Sequence, residues 1–381
     1  MKIIILKDKI GKCTPIIPND VLKLTQNKIQ VSFQRGIGDF CGFNDNEYIK
    51  NGATLIKKIN KKTLSQFDII CSFNLLKTKY YKMVNKNQLI WSYGYLVNNT
   101  RELFKMVKWG INTVSCESIN KNGVYEYLEP IEKIKGVYAP ILATNLLVKN
   151  NKVGRGKLLP KINELTSPTE IMIINYSYAA YYAIKSCIAL GANITFLECN
   201  NDLCKIIQDD KSIKELLNTT KATLKIDTLS FDNLNKYVKN TNVLIVTNQL
   251  PTTKTTQILN TQQINNMRKG GVFINLSSDT GFASWTEQKP NNDKKISTSF
   301  NNINIVSIEN ITNLFPYETS LITSKLNANH FINMSKCENI KKSICSIKEI
   351  KAGIITYKNC ITNLDIARSL HLQYINIDKL L

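Results

Sequence analysis

The 381-residue sequence predicts an α/β protein of two domains built on parallel sheets. Three observations carry that prediction. Short apolar runs rich in Ile and Val alternate with helical runs along most of the chain, as they do where helices cover both faces of a parallel sheet. The length exceeds what one small core serves and suits two domains of ordinary size. Residues 170–200, EIMIINYSYAAYYAIKSCIALGANITFLECN, have the strand–turn–helix–strand outline of a nucleotide-binding βαβ unit, and the second strand ends in an acid.

The elements follow in order. MKIIIL is a brief apolar run closed by charges and reads as a first strand, not as a secretory signal or transit peptide. PNDVLKLTQ opens a helix with Asn19 or Asp20 near its start, and IQVSFQ is a second strand. RGIGDFCGFNDNEYIKNGA puts Gly36, Gly38 and Gly42 in a loop, then a short helix that Gly52 closes. TLIKKI, FDIICSF, NQLIWSYG and NTVSCES are further strands, and YLEPIEKIKGVYAPILATNLLVKNN is a long helix expected to connect two domains. VGRGKLLPKINELTSPT is loop-like and leads into the βαβ unit. Beyond that unit, TLKIDTLS and TNVLIVTNQLP are strands, and NTQQINNMRKGG is a helix ended by Gly270 and Gly271. VFINLSSDTG is a buried strand that runs into an acid and a turn. TEQKPNNDKKISTSFNN is the most polar segment and is expected to be an exposed loop. From NIVSIENITNLFP onward the chain is expected to return to helices, TSLITSKLNANHFINM being the clearest.

Composition narrows the function. The longest apolar runs are too short to span a bilayer. A formal charge of +21 suggests nucleic acid, yet only five of the 50 basic residues are arginine. Bidentate phosphate and base contacts favour Arg. The lysines are scattered among Asn and Ile, the usage of an AT-rich genome, and read as a solvated surface with weak attraction to polyanions. Tyr80, Tyr81, Tyr93 and Tyr95 read as packed or rim tyrosines, since no RNA-stacking pattern surrounds them. Ten cysteines form no CxxC pair, and His330 and His371 are the two histidines, both in segments read as helical. A Cys/His metal site is therefore not expected. Free thiols in apolar runs, such as Cys71 and Cys187, point to a reducing cytoplasm.

Four segments together resemble the alanine dehydrogenase and transhydrogenase α-subunit family over almost the whole chain. GIGDFCGFNDNEYIKNGA is similar to the family's Gly-rich loop and helix. SPTEIMII…ALGANITFLECN resembles its cofactor-binding unit, MRKGGVFINLSSDTG its later strand and acidic turn, and AGIITYKNCITNLDIARSLHLQYIN its C-terminal segment. That last segment resembles alanine dehydrogenase in particular. The resemblance implies two Rossmann-like domains. Residues 1–130 with 312–381 would form the substrate domain, and 131–311 an inserted NAD-type domain, with the active site in the cleft. It also implies a homohexamer, or assembly with an active relative, and NAD-dependent deamination of L-alanine to pyruvate and ammonia without a metal.

Residue by residue, the resemblance aligns the family's carboxylate-gripping Arg with Cys13, with Lys12 beside it as a substitute cation. The catalytic Lys aligns with Asn74, three residues before Lys77, and the catalytic His with Tyr95. Asp279 keeps its family identity, as a catalytic acid or as a turn cap after a buried strand. Asn does not exchange a proton, and Tyr near its usual pKa of about 10 is a poor base at neutral pH. In the cofactor turn, Asn175, Ser177 and Ala180 stand where glycines are usual, and Tyr176 and Tyr178 add bulk. Asn175 suits a left-handed turn, Ala180 is a tolerated variant, and Ser177 puts a side chain where phosphates should lie. Glu198 occupies the ribose-acid position or is an ordinary strand-end carboxylate, and Ser230 matches a position near the adenosine. The expectation is an alanine dehydrogenase-like protein with degraded catalytic and NAD sites. The alternatives are an oxidoreductase rebuilt around Lys12 or Lys77 with Tyr95, and an RNA-binding basic surface.

Overall fold

Strand β1 (Lys2–Ile5) shows why both sheets lie inside the protein: Ile3, Ile4 and Ile5 are fully buried in succession. Ile3 and Ile5 face a core with Val31, Phe33, Trp91 and Phe331. Ile4 and Leu6 face the opposite core, with Leu64, Ile70, Leu103 and Met106. Side chains of a strand alternate between faces, so an unbroken apolar run requires cover on both. These contacts come from a computed structural model that describes residues 1–8, 11–94, 96, 99–149, 153–247, 259–277, 298–308 and 311–381.

The chain divides into two units, Met1–Pro130 with Thr312–Leu381, and Ile131–Ile311. The first unit begins with β1, α1 (Pro18–Gln26), β2 (Gln30–Gln34), α2 (Asp45–Lys50), β3 (Thr54–Ile56) and α3 (Lys61–Leu64). It continues with β4 (Ile69–Cys71), α4 (Thr78–Tyr81), β5 (Leu89–Ser92), α5 (Thr100–Trp109) and β6 (Asn112–Ser115). Helix α6 (Leu128–Leu147) carries the division between the units. The second unit has β7 (Glu170–Ile174), α7 (Tyr178–Ala189), β8 (Asn193–Glu198), α8 (Asn201–Asp209), α9 (Lys211–Thr220) and β9 (Leu224–Thr228). After these come α10 (Phe231–Val238), β10 (Val243–Val246), α11 (Thr261–Asn265), β11 (Val272–Asn275), β12 (Thr298–Phe300) and β13 (Ile303–Ser307). The first unit resumes with α12 (Pro316–Ser335), α13 (Ile340–Ser346), α14 (Lys348–Gly353), β14 (Ile354–Tyr357), β15 (Cys360–Ile361) and α15 (Leu364–Ser369).

The first sheet runs β3-β2-β1-β4-β5-β6-β14-β15 and the second β9-β8-β7-β10-β11-β13-β12. The first six strands of each, in this reading direction, are parallel, as in Ile3↔Val31 and Ile3↔Ile69, or Ile171↔Val243. Each sheet therefore reverses its winding beside its first strand, at β1/β4 and at β7/β10. A crevice opens at such a reversal beyond the carboxyl ends of the strands, and ligands of open α/β sheets bind there.

Several expectations need correction. The chain end is not helical throughout, because β14 and β15 add an antiparallel hairpin edge to the first sheet. The sheets are therefore mixed at one edge, as β12 likewise pairs antiparallel with β13. The last residues of the polar segment form that strand, and residues 286–297 of it lie outside the described residues. NIVSIENITNLFP likewise begins inside strand β13. Helix α1 starts at Pro18 with Asn19 and Asp20 in its first turn, as expected, and Asp20 accepts a bond from Ser324 Oγ at 2.5 Å. Helix α11 stops at Asn265, well before Gly270. His371 lies past α15 in the left-handed region, at φ +54°.

Packing fixes the helix that carries the second unit's turn. Helix α7 buries Ala179, Ala180 and Ala183 completely. Opposite them stands Gly136 of α6, where a Cβ would come within 2.8 Å of the Ala183 nitrogen and would collide with the Ala179 carbonyl oxygen. The helices meet backbone to backbone, which only small residues permit.

Candidate functional site

In the second unit, Asn175 follows β7 and adopts φ +65°, the left-handed conformation that Asn tolerates and a first glycine otherwise supplies. Its amide donates to the Leu197 carbonyl at 3.0 Å, and its carbonyl accepts the Thr247 hydroxyl at 2.8 Å. Thr247 follows β10, so hydrogen bonds tie both sides of the winding reversal. Ser177 is the N-cap of α7, 3% exposed, and its Oγ accepts the Ala180 amide at 3.0 Å. The hydroxyl thus turns onto its own helix and occupies one of the donors that a phosphate would use. Tyr176 and Tyr178 flank it, both partly exposed.

Glu198, at the end of β8, is 8% exposed, and protein surrounds both its oxygens. Oε2 accepts the Tyr176 amide at 2.6 Å; Oε1 accepts the amides of Cys199 at 2.7 Å and Asn200 at 3.0 Å. A carboxylate that accepts three backbone N–H groups is already a turn-holding group. Ser230 is exposed and caps α10 through a bond from the Asn233 amide at 3.2 Å; the amide of its neighbour Leu229 donates to the Glu198 carbonyl. The structure therefore brings Asn175, Ser177, Ala180, Glu198 and Ser230 to one end of one sheet. For a pyridine dinucleotide, Asn175 and Ala180 suit the turn. The phosphate position does not fit, because Ser177 takes the Ala180 amide where bare glycine leaves it open.

In the first unit the corresponding crevice is β1/β4. Asp8, just beyond β1 and 4% exposed, accepts the Asn74 amide at 2.7 Å and also bonds the Gly11 amide. The Asn74 carbonyl accepts Ser72 Oγ at 2.7 Å, while Asn74 Nδ2 is buried without a hydrogen-bond partner. Cys13 is 3% exposed, and its thiol donates to the Thr312 carbonyl at 3.2 Å. Burial pushes this thiol well up, and Cys41 and Asp8 nearby add to the shift, so it stays protonated and neutral. Cys41 lies 3.1 Å from Ser320 Oγ and donates to the Lys12 carbonyl, also at 3.1 Å. Lys12 is partly exposed; Lys77 is exposed, at the end of the loop that precedes α4. Tyr95 and Asp279 lie outside the described residues.

Two groups were missed from the sequence. Asp8 and Thr247 each close a winding reversal, although Asp8 had a signal, an acid at the end of the first apolar run. Among the described residues no group of three or more His, Cys, Asp or Glu could hold a metal ion, and no helix is long and apolar enough to cross a membrane.

Two sheets that share one winding order, one carrying a Rossmann-type turn at its reversal, define a two-domain α/β protein of Rossmann type. A profile of the alanine dehydrogenase/PNT C-terminal domain matches residues 139–364, and one of the N-terminal domain matches residues 10–134. The chain belongs to the alanine dehydrogenase/PNT family. Alanine dehydrogenase 1 of Staphylococcus aureus (strain MSSA476) is 24% identical over 364 residues, 95% of this chain and 93% of that protein. The solved structure of an L-alanine dehydrogenase matches with a TM-score of 0.81 at 15% identity, covering 97% of this chain and 99% of that one. A transhydrogenase from Sinorhizobium meliloti matches with a TM-score of 0.71 at 16% identity, covering 95% and 99%. At these identities the structural likenesses speak for the fold.

Proposed function

We propose that this chain is a catalytically silent member of its family, a subunit or scaffold that assembles with itself or with an active relative. The substrate-type domain would be residues 1–130 with 312–381, and the NAD-type domain residues 131–311. One observation carries the reading: at the two positions that the resemblance aligns with catalytic residues, Cys13 is a buried neutral thiol and Asn74 a half-buried amide. Cys13 offers no charge to a substrate carboxylate, and Asn74 moves no proton. Each lost proton-transfer group costs roughly 10²- to 10⁴-fold in rate. Such losses are not additive, but two together with a substituted carboxylate grip remove most of the reaction. Dinucleotide binding is weak on the same reading, because Ser177 engages the helix start.

The test is a calorimetric titration of the full chain with NAD and NADH, followed by an alanine-dependent NADH assay. The expected results are no saturable binding at millimolar cofactor and no turnover above background. Tight NADH binding or turnover at ordinary dehydrogenase rates overturns the proposal; the group acting at Asn74's position would then have to come from another residue, such as Lys12.

A further inference from the structure

A cavity of about 580 Å³ opens in the first unit at the carboxyl ends of β1, β2 and β3. Five cationic side chains line it: Lys7 after β1, Arg35 after β2, Lys57 and Lys58 after β3, and Lys79 on α4. Asp39 is the one acid in its wall. Among the described residues, none of the five cations forms an ion pair with a carboxylate. Elsewhere on this surface lysines do find acids, as Lys23 does with Asp20 and Lys351 with Asp378. A scattered, solvated lysine surface does not gather five cations without carboxylate partners around one concavity, where Lys79 lies 5.1 Å from the centre of the Tyr80 ring.

The cavity is separate from the Cys13 position. Cys13 packs in the core on one face of the sheet, whereas Tyr80, with Ile56 and Ile59, belongs to the core on the other face, and these three form the apolar part of the cavity wall. The backbone also shapes it. Gly36, at φ +68°, begins the glycine-rich loop after β2, and a Cβ there would stand 2.9 Å from Lys7 Nζ and against the Asp39 carboxylate. The Lys7 amide donates to Gln34 Oε1 at 3.0 Å and so ties the end of β1 to the end of β2. The backbone of Lys7 is thereby held at the end of β1, and glycine at position 36 leaves room for its ammonium.

From these observations we infer a binding site for a small phosphorylated metabolite: a phosphate or diphosphate group held by Lys7, Arg35 and Lys58, with a compact organic part against Ile56 and Tyr80. The lining carries a surplus of positive charge that a single carboxylate does not balance, while a multiply charged phosphate does. The volume falls within the roughly 300–1,000 Å³ of small-molecule sites. Its wall joins the ends of β1, β2 and β3 to α4, which follows β4.

The test is isothermal titration of the full chain with inorganic pyrophosphate at a fixed 150 mM potassium chloride. It compares the parent chain, the pair Arg35→Gln with Lys58→Gln, and a control pair Lys341→Gln with Lys342→Gln on exposed α13 positions. Circular dichroism melts confirm that all three fold. The expected result is saturable binding that the first pair weakens at least about tenfold, while the control stays within about twofold. Absence of binding at about 10 mM, or equal weakening by both pairs, overturns the inference. So does a single-stranded RNA that binds with a steep salt dependence and resists displacement by pyrophosphate.

Discussion

Replacing Glu198 with alanine separates a turn-holding carboxylate from one kept for a ligand. The change removes the acceptor of three backbone amides, those of Tyr176, Cys199 and Asn200. A hydrogen bond to a charged group contributes about 1.5–3 kcal/mol. Cys199 and Asn200 are exposed, so water rehydrates their amides and most of their share is recovered. Tyr176 is only partly exposed, and its amide, 2.6 Å from Oε2, lies in the turn between β7 and α7. The net loss comes to about 2–4 kcal/mol, a fall in melting temperature of roughly 4–16 °C for a unit of this size. Glu198→Gln keeps one acceptor oxygen and should lose about half as much. The measurement is a thermal melt by circular dichroism at pH 7, without nucleotide. A Glu198→Ala protein that melts within 1–2 °C of the parent refutes the turn-holding role and returns this acid to a ligand.

Other perturbations test other links. Ser177→Gly removes the cap at a cost of a few tenths of a kcal/mol and frees the Ala180 amide; NADH affinity by calorimetry should rise, and an unchanged titration shows that Ser177 is not the obstacle. Gly136→Val inserts a Cβ against the Ala183 nitrogen and the Ala179 carbonyl; urea unfolding should show a loss of about 1–3 kcal/mol or more, and an unchanged midpoint would mean that α6 and α7 can separate. Burial opposes ionisation of Asp210, but bonds from Ser212, Tyr181 and the Ile213 amide, with Lys185 near, outweigh it and lower its carboxyl to about 2. Its contribution is therefore complete above the unfolded value of about 3.9 and is lost as pH falls toward 2. Asp210→Asn, which keeps the helix cap, should flatten stability across that window, and an unaltered acid titration of stability would count against the bonds to Ser212 and Tyr181. Finally, iodoacetamide at pH 7 should label exposed Cys199 and Cys345 and spare Cys13, Cys71, Cys116 and Cys187; early modification of Cys13, read by peptide mass mapping, would mean that its crevice opens.

What the sequence determined by itself is local. Runs such as MKIIIL, EIMII and TNVLIV encode strands buried on both faces, because a period of two leaves no polar side. The turn after β7 was legible as well, since Asn175 is one of the few residues that accept a positive φ at modest cost. The hairpin β14–β15 was not, because strands of four and two residues exist only through the ladder that β6 offers them. Nor could the destination of each polar group be read. The sequence leaves Ser177 free to face a phosphate, and the fold turns it onto Ala180; the sequence leaves Glu198 free to meet a ribose, and the fold gives it three amides. Lys7, Arg35, Lys58 and Lys79 stand far apart in a chain full of lysine, and the parallel winding of β1 to β4 gathers them around one cavity. Patterning sets which residues are buried, since that depends on neighbours along the chain. Partnership between polar groups depends on which strand ends meet, and only the tertiary structure decides it.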